Sequence, residues 1–284
     1  MTKRRTIARE IACEGMALHA GTQVRMLLAP AGADVGVVFR RSDLDGAQVP
    51  ARYDTVVETT LGTTIASGRA QVAVIEHLMA AIAGAGVDDL VVILDGPEPP
   101  VLDGDALSFL DLLDAAGMKE HETERKVVKV LRRVEVAHND SRVALVPAAS
   151  LSFGFEIVFP SAAIGRQIFA LEFTPEAFRR EIAPARTFGD LAQLEALKQI
   201  DRAHGASLLN TLAIDGDKVL NAGIMRFKDE FVRHKILDAV GDMALAGAPL
   251  VARFEGVKSG HALNNAALRA LFADPANYRM VSAS

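Results

Sequence analysis

EFVRHKILDAVGD, residues 230–242, decides how the rest of this 284-residue chain is read. Phe231, Leu237 and Val240, with Met243 and Ala244 just beyond, recur at helical spacing and predict a helix over 228–246 with one face turned to a core. His234, Asp238 and Asp242 then fall four residues apart, and side chains at i and i+4 share a face. An imidazole and a carboxylate one turn apart reach a single point in space, which is a metal-ligand spacing. A catalytic zinc takes three protein ligands and leaves its fourth position to water, so another segment has to supply the third.

VIEHLMAAIAGAG, residues 74–86, is the best source. Val74, Ile75, Leu78, Met79 and Ile82 predict a short buried helix stopped at Gly84, and Glu76 and His77 interrupt its apolar run. Burying an unpaired carboxylate there costs several kcal/mol, which a nearby dication offsets. In KSGHALNN, residues 258–265, Lys258, Ser259 and Gly260 read as a turn, and a helix over 262–272 follows through Leu263, Ala267 and Leu271. That puts His261 at a helix N-terminus, where the dipole lowers its pKa and a carboxylate such as Asp242 raises it.

Around these segments, strands are expected at 22–28, 36–40 and 90–94 and a helix at 105–116. After the charged stretch KEHETERK, 119–126, alternating or apolar runs at 127–137, 142–148, 151–159 and 168–173 read as an antiparallel sheet. Helices are expected at 175–182 and 190–203, with LVARFEG, 250–256, as a strand before the last helix. Strands and helices mix without a βαβ rhythm, which predicts an α+β fold of two sheet-and-helix domains, 1–122 and 127–284. Glu76 and His77 fall in the first and the other groups in the second, so the site is expected at their interface.

Composition narrows the function. Half the residues are apolar, yet no run approaches the roughly 20 needed to span a bilayer. MTKRRTIAREIA lacks an apolar h-region, so no signal peptide is expected. The single cysteine, Cys13, excludes an internal disulfide and suits a reducing cytoplasm. A net charge of −5 argues against a nucleic-acid partner. The chain has no Walker A loop, no GxGxxG and no HExxH.

VIEHL, FVRHKILDAVGD and KSGHALNN, together with ALHAG (17–21), PEPPVLDGDALSF (97–109) and ARTFG (185–189), occur in an order and spacing that resembles the UDP-3-O-acyl-N-acetylglucosamine deacetylases, zinc enzymes of lipid A biosynthesis. The resemblance spans nearly the whole chain. It implies two domains, each carrying a small insert, and one Zn2+ (Fe2+ as the other occupant) held by His77, His234 and Asp238. It gives Glu76 the role of general base, His261 that of catalytic acid or oxyanion stabiliser, and Asp242 that of partner to His261. Thr187 is implied beside the acetyl carbonyl, Phe188 near the sugar, and Lys235 and Lys258 on the sugar and diphosphate. Leu61 and Leu208 are expected along an apolar passage for the acyl chain, with Leu212 a further candidate.

The implied reaction is hydrolysis of the N-acetyl amide with release of acetate, the committed step of lipid A biosynthesis, by a cytoplasmic monomer. Either His261 or Glu76 protonates the leaving amine. The chain departs from the family pattern at Gly62, Asp190, Gln193, the Gly205, Ala206, Ser207 run, Leu209, Thr211 and Ala213, all of which bear on the acyl passage rather than the metal. Those departures leave two other readings: a deacetylase of a different acylated amino sugar, and a catalytically silent regulator binding a UDP-sugar or lipid. The presence of Glu76 argues against the silent form, which has no use for a base.

Overall fold

Leu90–Leu94, LVVIL, buries alternate side chains completely and takes the centre of a five-stranded sheet. The computed structural model describes residues 2–283. The strand order in that sheet is Ile11–Met16, Gln23–Pro30, Leu90–Leu94, Val37–Arg41, Ala47–Pro50. Leu90–Leu94 runs antiparallel to Gln23–Pro30 and parallel to Val37–Arg41.

A second five-stranded sheet has the same plan: Val134–His138, Ser141–Val146, Arg253–Val257, Ser152–Val158, Arg166–Glu172. Its late strand, Arg253–Val257, is again antiparallel to one neighbour and parallel to the other. In each half four strands are laid down, the chain makes an excursion, and a fifth strand returns to the middle.

The first excursion holds a small sheet of Val56–Glu58, Thr64–Ser67 and Ala70–Val72, then helix α1 (Glu76–Ala85); α2 (Leu107–Ala116) follows the returning strand. The second holds α3 (Pro175–Glu181), a small sheet of Phe188–Asp190, Leu212–Asp215 and Lys218–Val219 with α4 (Leu191–Lys198), and then α5 (Glu230–Ala244). Helix α6 (His261–Ala273) follows the second returning strand. The α+β class read from the sequence is therefore the class observed, with α1 and α5 in equivalent places. One continuous apolar core runs from the first sheet through α1 and α5 to the second.

Three local expectations change. Gly84 lies inside α1, and the stop is Gly86 at φ +69°. Gly84 is small because a Cβ there would come within 2.2 Å of the Phe178 ring. Helix α5 is buried nearly all round, Val232, Ile236 and Ala239 included, because its polar stripe faces the site rather than solvent. The charged stretch 119–126 is strand: Met118–Glu124 pairs with Lys3–Ile7, matching Arg5 to Glu120 at 3.0 Å, and Lys126–Val130 pairs with Tyr278–Ser282.

Gly241 sets how closely α1 lies on α5. A Cβ at Gly241 would stand 2.0 Å from the carbonyl oxygen of Glu76, so the two backbones touch. Among the described residues, no helix is long and apolar enough to cross a membrane.

Candidate active site

The chain enters α1 through Val74, a β-branched residue held at φ +55°, a strained conformation that sets the start of the helix. Glu76 and His77 are the first two residues of α1 and are buried. Across the Gly241 contact, α5 presents His234, Asp238 and Asp242, also buried.

His77, His234 and Asp238 each offer one ligand atom, and these atoms all lie within 4.8 Å of one another. His77 Nε2 is 3.7 Å and His234 Nε2 is 3.4 Å from Asp238 Oδ1. The two imidazoles stand nearly perpendicular, at 88°, with centroids 4.9 Å apart. His234 Nδ1 lies 3.1 Å from the carbonyl of Ala185 and donates to it, which leaves the Nε2 lone pair directed at the cluster.

The electrostatics put all three groups in their ligating states. Burial, reinforced by His234, pushes the His77 imidazole down to about 3, and burial lowers His234 as well, so both rings are neutral. Burial works to raise Asp238, but the Lys235 ammonium 2.7 Å away outweighs it and holds the carboxyl below the ordinary range. Burial likewise opposes the charge on Lys235, and Asp238 outweighs it. Two neutral imidazoles and a carboxylate, deprotonated and buried together, fit a divalent transition metal.

Beside this cluster stands an acid–base pair. Glu76 Oε2 accepts the N–H of Thr63 at 2.9 Å; burial, with Asp238 and Asp242 nearby, pushes the Glu76 carboxyl up to about 7. His261, the first residue of α6, has Nδ1 2.8 Å from Asp242 Oδ2 and Nε2 3.9 Å from Glu76 Oε1. Burial alone would lower His261, but the charges of Asp242 and Glu76 raise it to about 9. The contest between helix dipole and carboxylate is thus decided for the carboxylate. Asp242 is itself pinned by Thr63 Oγ1 at 2.5 Å and Asn264 Nδ2 at 2.8 Å. Gly62, at φ +133°, leaves room for the base, since a Cβ there would lie 2.7 Å from Glu76 Oε1.

Arg186 fixes the neighbouring Thr187–Phe188 segment. Its guanidinium and its backbone N–H both bond Glu230, at 3.0 and 3.1 Å, in a fully enclosed pair. Thr187 N–H donates to Gly104 O at 2.8 Å, and Leu212 N–H donates to Thr187 O at the same distance. In the LDGD turn, Asp103 pairs with Arg226, and Asp105 accepts the N–H of Ser108 at the start of α2. The Phe188 ring stands 6.0 Å from that of His234.

One cleft of about 1080 Å³ brings together Glu76, His77, His234, Asp238, His261, Thr187, Phe188, Lys235, Lys258 and Leu61. Asp242 sits behind His261 rather than in the cleft wall. Lys258 pairs with Asp140 at 2.6 Å. Leu208 stands apart from the cleft, 51% exposed, because the 207–210 turn is closed by Asn210 and carries it outward, and Leu212 is in the core. The apolar wall is made instead by Leu194, Leu197, Ala203, Ala206 and Ile214. Thr63, Asn264, Arg186 and Glu230 brace the site; the last three stand inside KSGHALNN, ARTFG and EFVRHKILDAVGD, but no spacing marks their bracing contacts, and Thr63 meets Asp242 across 179 positions.

The fold and site define a class: an α+β protein of two sheet-and-helix repeats with a candidate divalent-metal centre beside an acid–base pair, its candidate ligands drawn from both halves. Residues 4–273 match the family described as LpxC, UDP-3-O-acyl N-acetylglycosamine deacetylase, and the chain belongs to that family. It is 46% identical to the UDP-3-O-acyl-N-acetylglucosamine deacetylase of Phenylobacterium zucineum (strain HLK1), over 94% of this chain and 92% of the relative. It is 42% identical to the protein of that name in Myxococcus xanthus (strain DK1622), over 99% and 90%. Identity to that of Campylobacter fetus subsp. fetus (strain 82-40) is 41%, over 99% and 95%.

Proposed function

We propose that this chain hydrolyses the N-acetyl group of a UDP-linked, 3-O-acylated N-acetylglucosamine, releasing acetate, in lipid A biosynthesis. The observation that carries the reading is the opposition of Glu76 Oε1 and His261 Nε2, 3.9 Å apart, beside the His77, His234, Asp238 cluster. Zn2+ is the proposed resident ion, with Fe2+ the other occupant of an N2O donor set. When bound, such an ion supplies Lewis acidity and lowers the pKa of water from about 15.7 to about 7.

Glu76, poised near neutrality, takes a proton from the attacking water. His261, charged because Asp242 holds its Nδ1–H, offers Nε2–H first to the developing oxyanion, together with Thr187, and then to the departing amine. The elevation of His261 and its Asp242 partner support it over Glu76 as the proton donor. Lys235 and Lys258 supply positive charge for the sugar diphosphate, and Phe188 packs on the sugar. Leu61, with Leu194 and Leu197, lines the acyl passage. Residues 1–122 and 127–284 are the two domains in this reading. A working monomer is part of this reading, and the free thiol of Cys13 suits the cytoplasm.

Acetate release from the family substrate, with and without a chelator, tests the proposal alongside Glu76→Ala and elemental analysis of the purified protein. The variant is expected to retain metal and lose about 10²- to 10⁴-fold in kcat. Release by Glu76→Ala at the parent rate would remove Glu76 as the base.

A further inference from the structure

A second cavity, of about 290 Å³, is lined further along the same two helices and shares no lining residue with the active-site cleft. Its walls come from the two helices that carry the metal cluster, Met79 and Ile82 on α1 one to two turns beyond Glu76 and Val240 and Met243 on the face of α5 away from His234 and Asp238, closed by Phe153 and Phe173 of the second half. It is nearly twice an engineered cavity of about 150 Å³ that stays dry and accepts benzene. At its edge it is polar in one place. Arg125 and Asp88 line it there, with Arg125 Nε donating to Asp88 Oδ1 at 2.8 Å.

Arg125 Nη1 and Nη2 donate to no protein acceptor among the described residues. They lie 3.8 and 3.9 Å from the point a Cβ on Gly86 would occupy, and Gly86 also lines the cavity. The guanidinium therefore presents an open two-donor edge above Gly86, whose φ of +69° disfavours a side chain that would cover it. Two parallel N–H groups match a carboxylate bidentately, and the slot beyond them is apolar.

We propose that this cavity binds a medium-chain fatty carboxylate, the tail between α1 and α5 and the head on Arg125 Nη1 and Nη2. The proposal rests on the cavity alone and is independent of the reaction assigned to the cleft.

Methionine reports occupancy, because Met79 and Met243 line this cavity and no methionine among the described residues lines the catalytic cleft. The full chain, labelled with [13C-methyl]methionine and assigned through Met79→Leu and Met243→Leu, is titrated with decanoate and, separately, with decan-1-ol. Saturable shifts of both methyls are expected with decanoate. Arg125→Gln is expected to weaken decanoate by about tenfold while leaving the alcohol within about twofold, since only the carboxylate uses the fork. Ala83→Leu, which fills the slot from α1, is expected to abolish both titrations at an unchanged melting temperature. The proposal is overturned if neither methyl shifts at millimolar decanoate, if only methionines elsewhere respond while acetate release is inhibited competitively, or if Arg125→Gln binds decanoate like the parent.

Discussion

Gly241→Ala puts the assembly of the site under direct test. The added Cβ would sit 2.0 Å from Glu76 O, 2.7 Å from its carbonyl carbon and 2.9 Å from its Cα, all backbone atoms that cannot rotate aside. Bringing the closest approach out to about 3.0 Å requires α1 and α5 to part by about 1 Å at the turn bearing Glu76 and His77. Overpacking of this kind costs about 1–3 kcal/mol, and alanine recovers about 1 kcal/mol over glycine inside a helix, so the net loss of stability is small. A 1 Å displacement of catalytic groups, by contrast, costs about 100-fold in rate, or about 2.7 kcal/mol of barrier.

The expected signature is thus a melting temperature a few degrees down, metal bound more weakly, and kcat/KM for acetate release down about 100-fold. Gly223→Ala, where a Cβ meets nothing within 4 Å, is the control. Gly241→Ala with parent metal content and kcat/KM would refute the claim that this backbone contact positions the base.

Because His261 acts as an acid and is raised to about 9, activity is expected to hold to that pH and fall above it, and His261→Ala to lose that alkaline limb. The acid limb belongs to Glu76, which must be deprotonated; the His261 charge now lowers Glu76, so the same variant moves that limb to higher pH. A pH–rate profile of the variant with both limbs in place would reject the assignment. Arg186→Met leaves Glu230 fully buried and short of its cation, with an expected loss of about 3–5 kcal/mol on thermal or denaturant unfolding. A loss below about 1 kcal/mol would show that the pair does not anchor the Thr187 segment.

The parts of the site legible in the sequence were those written locally. His234, Asp238 and Asp242 are one helix turn apart, and Glu76 and His77 are polar residues in an apolar helix, so their grouping follows from periodicity plus the cost of burying charge. Bracing contacts such as Thr63 to Asp242, or Arg186 to Glu230, join distant segments and leave no periodic trace. The fold was legible where strands bury one face, as in Leu90–Leu94 and Ser152–Val158. It was illegible at Met118–Glu124, which pairs with Lys3–Ile7 through its backbone at an exposed edge while its side chains are mostly charged, so that its sequence reads as a linker. Leu208 misled because hydrophobicity alone cannot say which way a tight turn points a side chain.

The duplicated strand order has a consequence for synthesis. The first repeat emerges from the ribosome with its glutamate and histidine already at the head of α1, but the surface they belong against is not made until residues 230–244 follow. Ion capture therefore waits for the second repeat, and a loaded centre certifies that translation has passed both copies of the pattern and that they have docked.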